Sequence, residues 1–473
     1  MDNNDTKEQK LEFYGGKGMV FLPIILAIIG LIYIAVKNAN IPEYWVVFLL
    51  PVILCVFLAK NKAAYCEAVL KGVADEIGAI LIMAVILAGI CGALLSHSGV
   101  VATLANYLVK ANFVGNKFVG ATFILTCLVA FSTGTSVGTI FVIGPILYPV
   151  GYLVGATPAL LVGAIVSGGA FGDNLSPVSD TTIASASTQE SDLGGVVKSR
   201  LKYSIPAAVI SMILYFILGS RGETVNLSMI ESLGGQANPV TLLFLLIPTV
   251  IVTACILKRH LIEALSYGII TGLVLGLVTG IIGFGDIVSV PEQFGAGGII
   301  LEGIQGAVPT VIIVMVMFAQ ISILKRGGGI DLLLASMNRF IKGVRSAETA
   351  IVTIEVLLNV ATGLNTAAIV GTGELANKLG KKYNISGYRR ANLLDCAGTT
   401  LNYLLPYMVP VVIGSMISSI AAPVEGAVTV SPVEVVASQF YPWVMLILLI
   451  FAIITGYGRT FLNDEISGKG KKK

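Results

Sequence analysis

Apolar residues in this chain fall into long continuous blocks separated by short polar segments. A helix needs about 17–25 predominantly apolar residues to cross the hydrocarbon core of a bilayer. On that measure the pattern predicts ten spans, near 19–37, 44–60, 77–97, 157–187, 200–219, 239–257, 263–283, 306–324, 389–418 and 441–459. Two further apolar segments, 117–151 and 347–377, are each interrupted at the centre by small polar residues, FSTGTSVGT at 131–139 and ATGLNTAAIVGTG at 361–373. The arm 117–131 is 15 residues long, about 22 Å of helix, against a hydrocarbon core of about 30 Å. Both segments therefore read as re-entrant hairpins that enter and leave on one side.

Composition agrees with this pattern. Of 473 residues, 55% are hydrophobic and 12% charged, where a soluble domain carries about 25% charged residues; mean hydropathy is +0.89. A soluble globular protein is excluded. The 53 glycines suit close helix packing in lipid. With the N-terminus inside and both hairpins re-entrant, 26 of the 30 Lys and Arg fall inside. Lys37, Lys110, Lys117 and Arg221 fall outside, and the outside loops 284–305 and 419–440 carry none. Making the first hairpin a full span would move Lys198, Arg200 and Lys202 outside, against the positive-inside rule. Both termini are thus expected in the cytoplasm of a bacterial-type inner membrane. Residues 1–18 lack the basic start and cleavage site of a signal peptide.

The two hairpins then open to opposite faces, which makes two repeats of inverted topology. Under a shift of 229 residues Thr133-Gly134 maps onto Thr362-Gly363, Gly144 onto Gly373, Gly169 onto Gly398 and Pro177 onto Pro406. The expected organisation is a cytoplasmic segment 1–18, a first repeat 19–230, a second repeat 231–460 and a basic tail 461–473, each repeat having five spans and one hairpin. Inverted repeats built around broken helices mark secondary transporters.

The densest polar run inside a span is GGAFGDNLSPVSDTTIASAS at 168–187. Gly172 and Pro177 predict an unwound stretch near 173–180 containing Asp173 and Asp180, with a new helix starting near Ser179. Sixteen apolar or small residues, Thr157 to Gly172, precede Asp173 and place it deep in the membrane, where a carboxylate is costly unless matched. The related run CAGTTLNYLLPYMVP at 396–410 has Asn402 in place of Asp173 and Val409 in place of Asp180. Oxygen ligands for an alkali cation are available at both hairpin tips, from Ser132, Thr133, Gly134, Thr135 and Ser136 and from Thr362, Gly363, Asn365 and Thr366. Asn174, Ser176, Ser179, Asn402, Tyr403 and Tyr407 add polar groups at the breaks. A sodium ion is expected at Asp173, Asn174 and Asp180. Glu355, Glu374 and Asp395 also lie in apolar surroundings; Glu355 and Asp395 join Asp173 and Asp180 as candidate proton carriers, with Asp395 able to face a cytosolic vestibule. Six cysteines without CxxC spacing and two distant histidines give no disulfide framework or metal cluster. Gly268, Gly272, Gly276 and Gly280 line one helix face and serve either packing within the protomer or a dimer seam.

At GAFGDNLSPVSDTT the sequence resembles the NhaC-type sodium/proton antiporters, a family that includes malate/lactate exchangers and belongs to the wider ion-transporter superfamily. The resemblance implies an elevator-type homodimer. Spans one to three and six to eight would form the scaffold, and the hairpins and broken helices the moving part. Many relatives carry an acidic-Asp-Ser-Gly-Thr run followed by Pro-Trp-Asn-Thr in the second break. Here DCAGTTLNYLLPYMVP keeps Asp395, Gly398 and Thr399, and puts Tyr407 where Trp would sit. The fold class expected is an all-α polytopic membrane protein. Its expected activity is cation-coupled secondary transport, with Na⁺/H⁺ exchange leading and sodium-coupled movement of a small organic anion or amino acid as the alternative. An enzyme, a cofactor other than the coupling ions, and a nucleic-acid partner are not expected; the lipid bilayer is.

Overall fold

The computed structural model describes residues 11–36, 41–220, 238–290, 296–329, 341–420 and 428–462, with isolated positions at 225, 227, 230 and 332. Most of the expected cytoplasmic N-terminal segment, most of the basic tail, Lys37 and Arg221 lie outside these residues. Among the described residues the chain is helical, and β pairing is limited to isolated bridges such as Phe13 with Ala59. Nine helices among the described residues are long and apolar enough to cross a membrane, or ten if Pro432–Ser438 and Phe440–Thr455, bent by 57°, count as one span.

Both expected hairpins are helix–turn–helix units. The first consists of Asn116–Thr133 and Ser136–Leu153, the second of Val344–Thr362 and Asn365–Lys382. Each turns at a glycine in the left-handed region, Gly134 (φ 69°) and Gly363 (φ 66°), a conformation that only glycine adopts without strain. The arms of the first hairpin have 18 residues each, about 27 Å of helix, rather than the 15 counted from sequence. Arm length therefore does not separate a hairpin from a crossing, and the charge distribution carries that distinction.

Each broken span is two helices, Pro158–Leu175 with Asp180–Thr188, and Gly387–Leu404 with Val409–Ile420. The residue before each proline is extended, Ser176 (φ −65°, ψ 131°) and Leu405 (φ −108°, ψ 125°). The proline ring excludes the helical conformation there. This corrects the expected position of the break. Asp173 lies in the last turn of the first helix and Asp180 begins the second, so they flank the unwound residues 176–179 rather than sit among them. Adding 229 to the helix ends 133, 136, 153, 158, 175 and 180 gives 362, 365, 382, 387, 404 and 409, which are the observed ends in the second half.

The helices Leu22–Val36, Ile41–Cys55, Glu76–His97, Leu246–Ile256, Leu261–Thr279 and Ile299–Arg326 pack mainly on one another. The first hairpin packs on Pro158–Leu175 and the second on Gly387–Leu404, while Leu193–Leu218 and Phe440–Thr455 lie against both broken helices. Backbones meet where Cβ is missing; a methyl on Gly89 would lie 2.3 Å from the Gly303 carbonyl oxygen. The glycine stripe acts within the protomer. Gly268 and Gly272 receive Ile251 and Ile247, Gly276 receives Ile282, and Gly280 (φ 69°) caps the helix.

Among the described residues the α-helices Lys62–Val73, Val100–Lys110, Phe284–Ile287 and Pro432–Ser438 lie outside the expected spans and hairpins. All are too short to span. Lys62–Val73 carries Lys62, Glu67 and Lys71, and starts where the Asn61 side chain accepts from the Ala64 amide at 3.1 Å.

Candidate functional site

Pro158–Leu175 carries Asp173 on its last turn, and the helix break brings Ser179 back over it. Ser179 Oγ donates to Asp173 Oδ1 at 3.0 Å. Tyr403 Oη, from the second broken helix, donates to Oδ2 at 3.2 Å, and Ser136 Oγ, from the first hairpin, at 3.4 Å. Asp173 is 6% exposed. Each side chain within hydrogen-bond reach is a neutral hydroxyl, and among the described residues no Lys or Arg pairs with this carboxylate. Asp180 is exposed; Thr366 Oγ1, at the start of the second hairpin's return helix, donates to its Oδ2 at 2.5 Å. Asp173 and Asp180 are near enough for their charges to act on each other.

The first hairpin tip is part of this geometry. Ser176 Oγ donates to the Phe131 carbonyl at 2.7 Å, which ties the unwound residues to the hairpin. A methyl on Gly134 would lie 2.8 Å from the Val178 carbonyl carbon and 3.0 Å from the Ser179 amide. Gly134→Val is therefore expected to displace Ser179 from Asp173 and abolish ion flux while membrane insertion persists, as read by flux in proteoliposomes alongside expression in the membrane fraction. Gly363→Val meets only the Ile321 side chain, at 2.4 Å, and should lower flux less.

Asp395 has a different setting, which corrects its expected place in a cytosolic vestibule. It is fully buried and ion-paired with Arg200. Thr182, Ser185 and Thr399 donate to it at 3.2–3.4 Å. Arg200 also donates to the Asn174 carbonyl at 2.6 Å, Thr182 Oγ1 at 2.9 Å, Ser185 Oγ at 3.1 Å and Asn392 Oδ1 at 3.1 Å. One guanidinium, with its fixed fork of donors, thus joins the broken helices of both halves. Sequence reasoning treated Arg200 as a cytoplasmic flanking charge; the helix in fact begins at Leu193 and carries it inward. Arg389 and Arg390 are buried too, the first bonded to Glu348 at 2.8 Å and the second to Gln189 at 2.8 Å. Three of the charges counted as inside loops are therefore interior groups.

Asn174 belongs to this second network. Its Oδ1 accepts from Ser204 at 2.6 Å and Tyr441 at 3.0 Å, and its Nδ2 donates to Asp395 at 3.4 Å. It is turned away from Asp173 and drops out of the expected sodium ligands. Glu374 is exposed and paired with Lys378 at 2.6 Å, so its charge is matched by a neighbour on its own helix. Ser132 is bonded back to Leu128 at 2.8 Å. Thr133 meets Thr139 at 3.0 Å, and Thr135 caps its helix by accepting from Gly138. Thr362 donates to the Leu364 carbonyl at 3.0 Å within the second tip. Tyr407 is buried beside Gly363. The groups that meet at Asp173 are Ser136, Ser179 and Tyr403.

At the far end of the first broken helix, Lys381 and Asn377 of the second hairpin hold the Glu190 carboxyl below the usual carboxylate range. Gln189 donates to the Gly373 carbonyl at 3.0 Å. The second hairpin is thereby anchored to the first half.

A multi-pass helical protein with polar groups at paired helix breaks is a membrane transport protein. A family model for the Na⁺/H⁺ antiporter family matches residues 15–220 and 201–458, and the chain belongs to that family. It is 27% identical over 383 residues to the Na⁺/H⁺ antiporter NhaC of Alkalihalophilus pseudofirmus, covering 76% of this chain and 81% of that protein. Identity to NhaC of Bacillus subtilis is 25% over 416 residues, covering 85% and 90%. The malate-2H⁺/Na⁺-lactate antiporter of Bacillus subtilis is 29% identical over 262 residues, 54% of each chain.

Proposed function

We propose that this protein exchanges Na⁺ for H⁺ through competition at Asp173. The observation that carries the reading is a buried carboxylate whose partners are hydroxyls and which has no fixed counter-cation among the described residues, in contrast to Asp395 beside Arg200. Its charge must be matched by a mobile ion, because an isolated ionised carboxylate in a low-dielectric interior costs several kcal/mol. Either Na⁺ or H⁺ satisfies it and the two exclude each other, which gives exchange. Asp180 is the second anionic ligand; Ser136, Ser179, Tyr403 and Thr366 offer neutral oxygens around the pair, and helix ends at the break add their dipoles. In wild-type protein, apparent Na⁺ affinity should fall as pH falls. A Na⁺ gradient imposed on proteoliposomes should drive saturable proton movement; pH-independent, non-saturable Na⁺ leak would overturn the reading. Solute exchange of the malate/lactate kind is not favoured: the two NhaC relatives are matched over most of their length, the exchanger over about half.

The transport cycle proposed is an elevator motion of the hairpins and broken helices against spans one to three and six to eight, in a homodimer within a bacterial-type inner membrane. The matched helix ends at a shift of 229 support two repeats, and the charge distribution supports their inversion with cytoplasmic termini. Single cysteines at Lys110 and Lys382, both exposed, should react with an impermeant thiol reagent from opposite faces, outside and inside respectively. Cys66 is exposed as well and must be replaced first. Labelling of both positions from one face would rule out inversion.

A further inference from the structure

Exchange at Asp173 leaves a second buried acid unused. Glu355 lies on the first arm of the second hairpin, two turns before Gly363, with 0% of its surface exposed. Neither of its carboxylate oxygens has a hydrogen bond. The Thr372 hydroxyl, on the return arm, lies near it but short of hydrogen-bond geometry. Glu355 Oε1 and Asn365 Oδ1 converge on Gly398, where a methyl would lie 3.0 Å from the first and 1.8 Å from the second. Asn359 Nδ2 donates to Asn365 Oδ1 at 3.3 Å and to the Gly398 carbonyl at 3.2 Å. Asn359 Oδ1, Asn365 Nδ2 and, one turn beyond Gly398, Asn402 Oδ1 remain unpartnered.

The charged groups around this pocket are already occupied. Asp395 reaches it from Gly387–Leu404 and is held by Arg200. Glu348, two turns earlier on the same arm, is bonded to Arg389 and Arg459. Glu374 and Lys378, on the return arm, pair at the surface. Arg326, at the end of Ile299–Arg326, pairs with Glu67, and Phe440–Thr455 contains no charged residue. Glu355 thus has amides and a hydroxyl for company and, among the described residues, no cation. Such a pocket accommodates a carboxylic acid and opposes a bare carboxylate. The 229-residue shift places Glu355 over Thr126 and Asn402 over Asp173, so each half owns one deeply buried carboxylate without a cation, on opposite members of the hairpin–broken-helix pair.

We propose that Glu355 is a second proton-carrying site, distinct from Asp173, which is protonated in the sodium-free protein and gives up its proton when Na⁺ binds. Uptake forms an O–H bond on the carboxylate from hydronium and leaves water; release returns the proton to water, with no change in oxidation state. Two features connect the sites. The second hairpin bonds Asp180 through Thr366, and the charge of Asp395 acts on both Asp173 and Glu355. Na⁺ in place of a proton leaves the net charge at Asp173 unchanged, so the link runs through Thr366, whose bond to Asp180 passes a change at the sodium site to the second hairpin that carries Glu355.

The inference rests on the exchange reading above, and proton counting separates the two. Na⁺ is added to purified protein in weak buffer near neutral pH and the protons released per bound Na⁺ are measured. Wild type should release about two and Glu355→Gln about one, since linkage equates protons lost with the change in site occupancy. Equal release from both proteins would overturn the Glu355 role while leaving exchange at Asp173 standing. No release from wild type would overturn both. Should Glu355→Gln fail to fold, wild-type protein labelled with ¹³C-carboxyl glutamate decides the matter by infrared difference spectroscopy. A protonated-carboxyl band that shifts with the glutamate label and vanishes on Na⁺ addition supports the proposal; absence of such a band overturns it.

Discussion

Asp173→Asn should reduce Na⁺-driven proton flux to background while the protein still folds and inserts. Asn keeps the size of the side chain and can accept from Ser179 and Tyr403, so the substitution separates charge from shape. In the neutral variant nothing remains for Na⁺ and H⁺ to contest, and any residual Na⁺ binding, measured between about pH 5 and 9 to span the values open to a buried acid, should lose its pH dependence. Asp180→Asn should weaken Na⁺ binding with a smaller effect on competition, because Asp180 is exposed while Asp173 is the buried carboxylate. The comparison is therefore of whole Na⁺-binding curves across that pH range. Wild-type exchange in Asp173→Asn would make Asp173 structural and move coupling to Asp180.

The second large effect is on stability. Arg200→Met should destabilise the fold by roughly 3–5 kcal/mol, the usual result of removing one partner from a buried ion pair. Asp395, fully buried, would be left either charged with no counter-charge or forced to take up a proton, and the Asn174 carbonyl and Asn392 Oδ1 would lose a donor. Loss of folded protein in detergent, followed by thermal unfolding, is the measurement. Asp395→Leu combined with Arg200→Met should recover part of the loss, since a buried pair exchanged for apolar residues can be near neutral. The amide partners of Arg200 would still be stranded, so recovery should be incomplete. A double variant no better than Arg200→Met would mean that the guanidinium acts mainly through its amide and hydroxyl partners.

These two carboxylates show how much of the site was legible beforehand. Asp173 and Asp395 are both acids in apolar runs, and nothing local separates a mobile-ion ligand from half of a structural pair. The distinction depends on Arg200, 195 positions away from Asp395 in the chain. In the sequence Arg200 stands between Lys198 and Lys202, where it reads as a loop charge. Asn174 was misjudged for a related reason. Adjacent residues on a helix point about 100° apart, so the neighbour of a site residue faces something else, here Ser204 and Tyr441. Glu374 was separated from Glu355 only by the exposure of one side of the return arm.

Features governed by local chemistry were set by the sequence alone. Long apolar blocks demand helices in a bilayer because every backbone donor and acceptor must be satisfied within the element. Prolines 177 and 406 break their helices because the preceding residue cannot stay helical. Gly134 and Gly363 turn the hairpins because the left-handed conformation is open to glycine. The shift of 229 was visible because those same constraints recur at matched positions. The tertiary structure alone decided which acid is paired, that Asn174 turns away from Asp173, and that Glu355 is enclosed without a cation among the described residues. Those outcomes are sums over long-range contacts, and electrostatic energy in a low-dielectric interior depends on a few ångströms of separation that no run of residues encodes by itself.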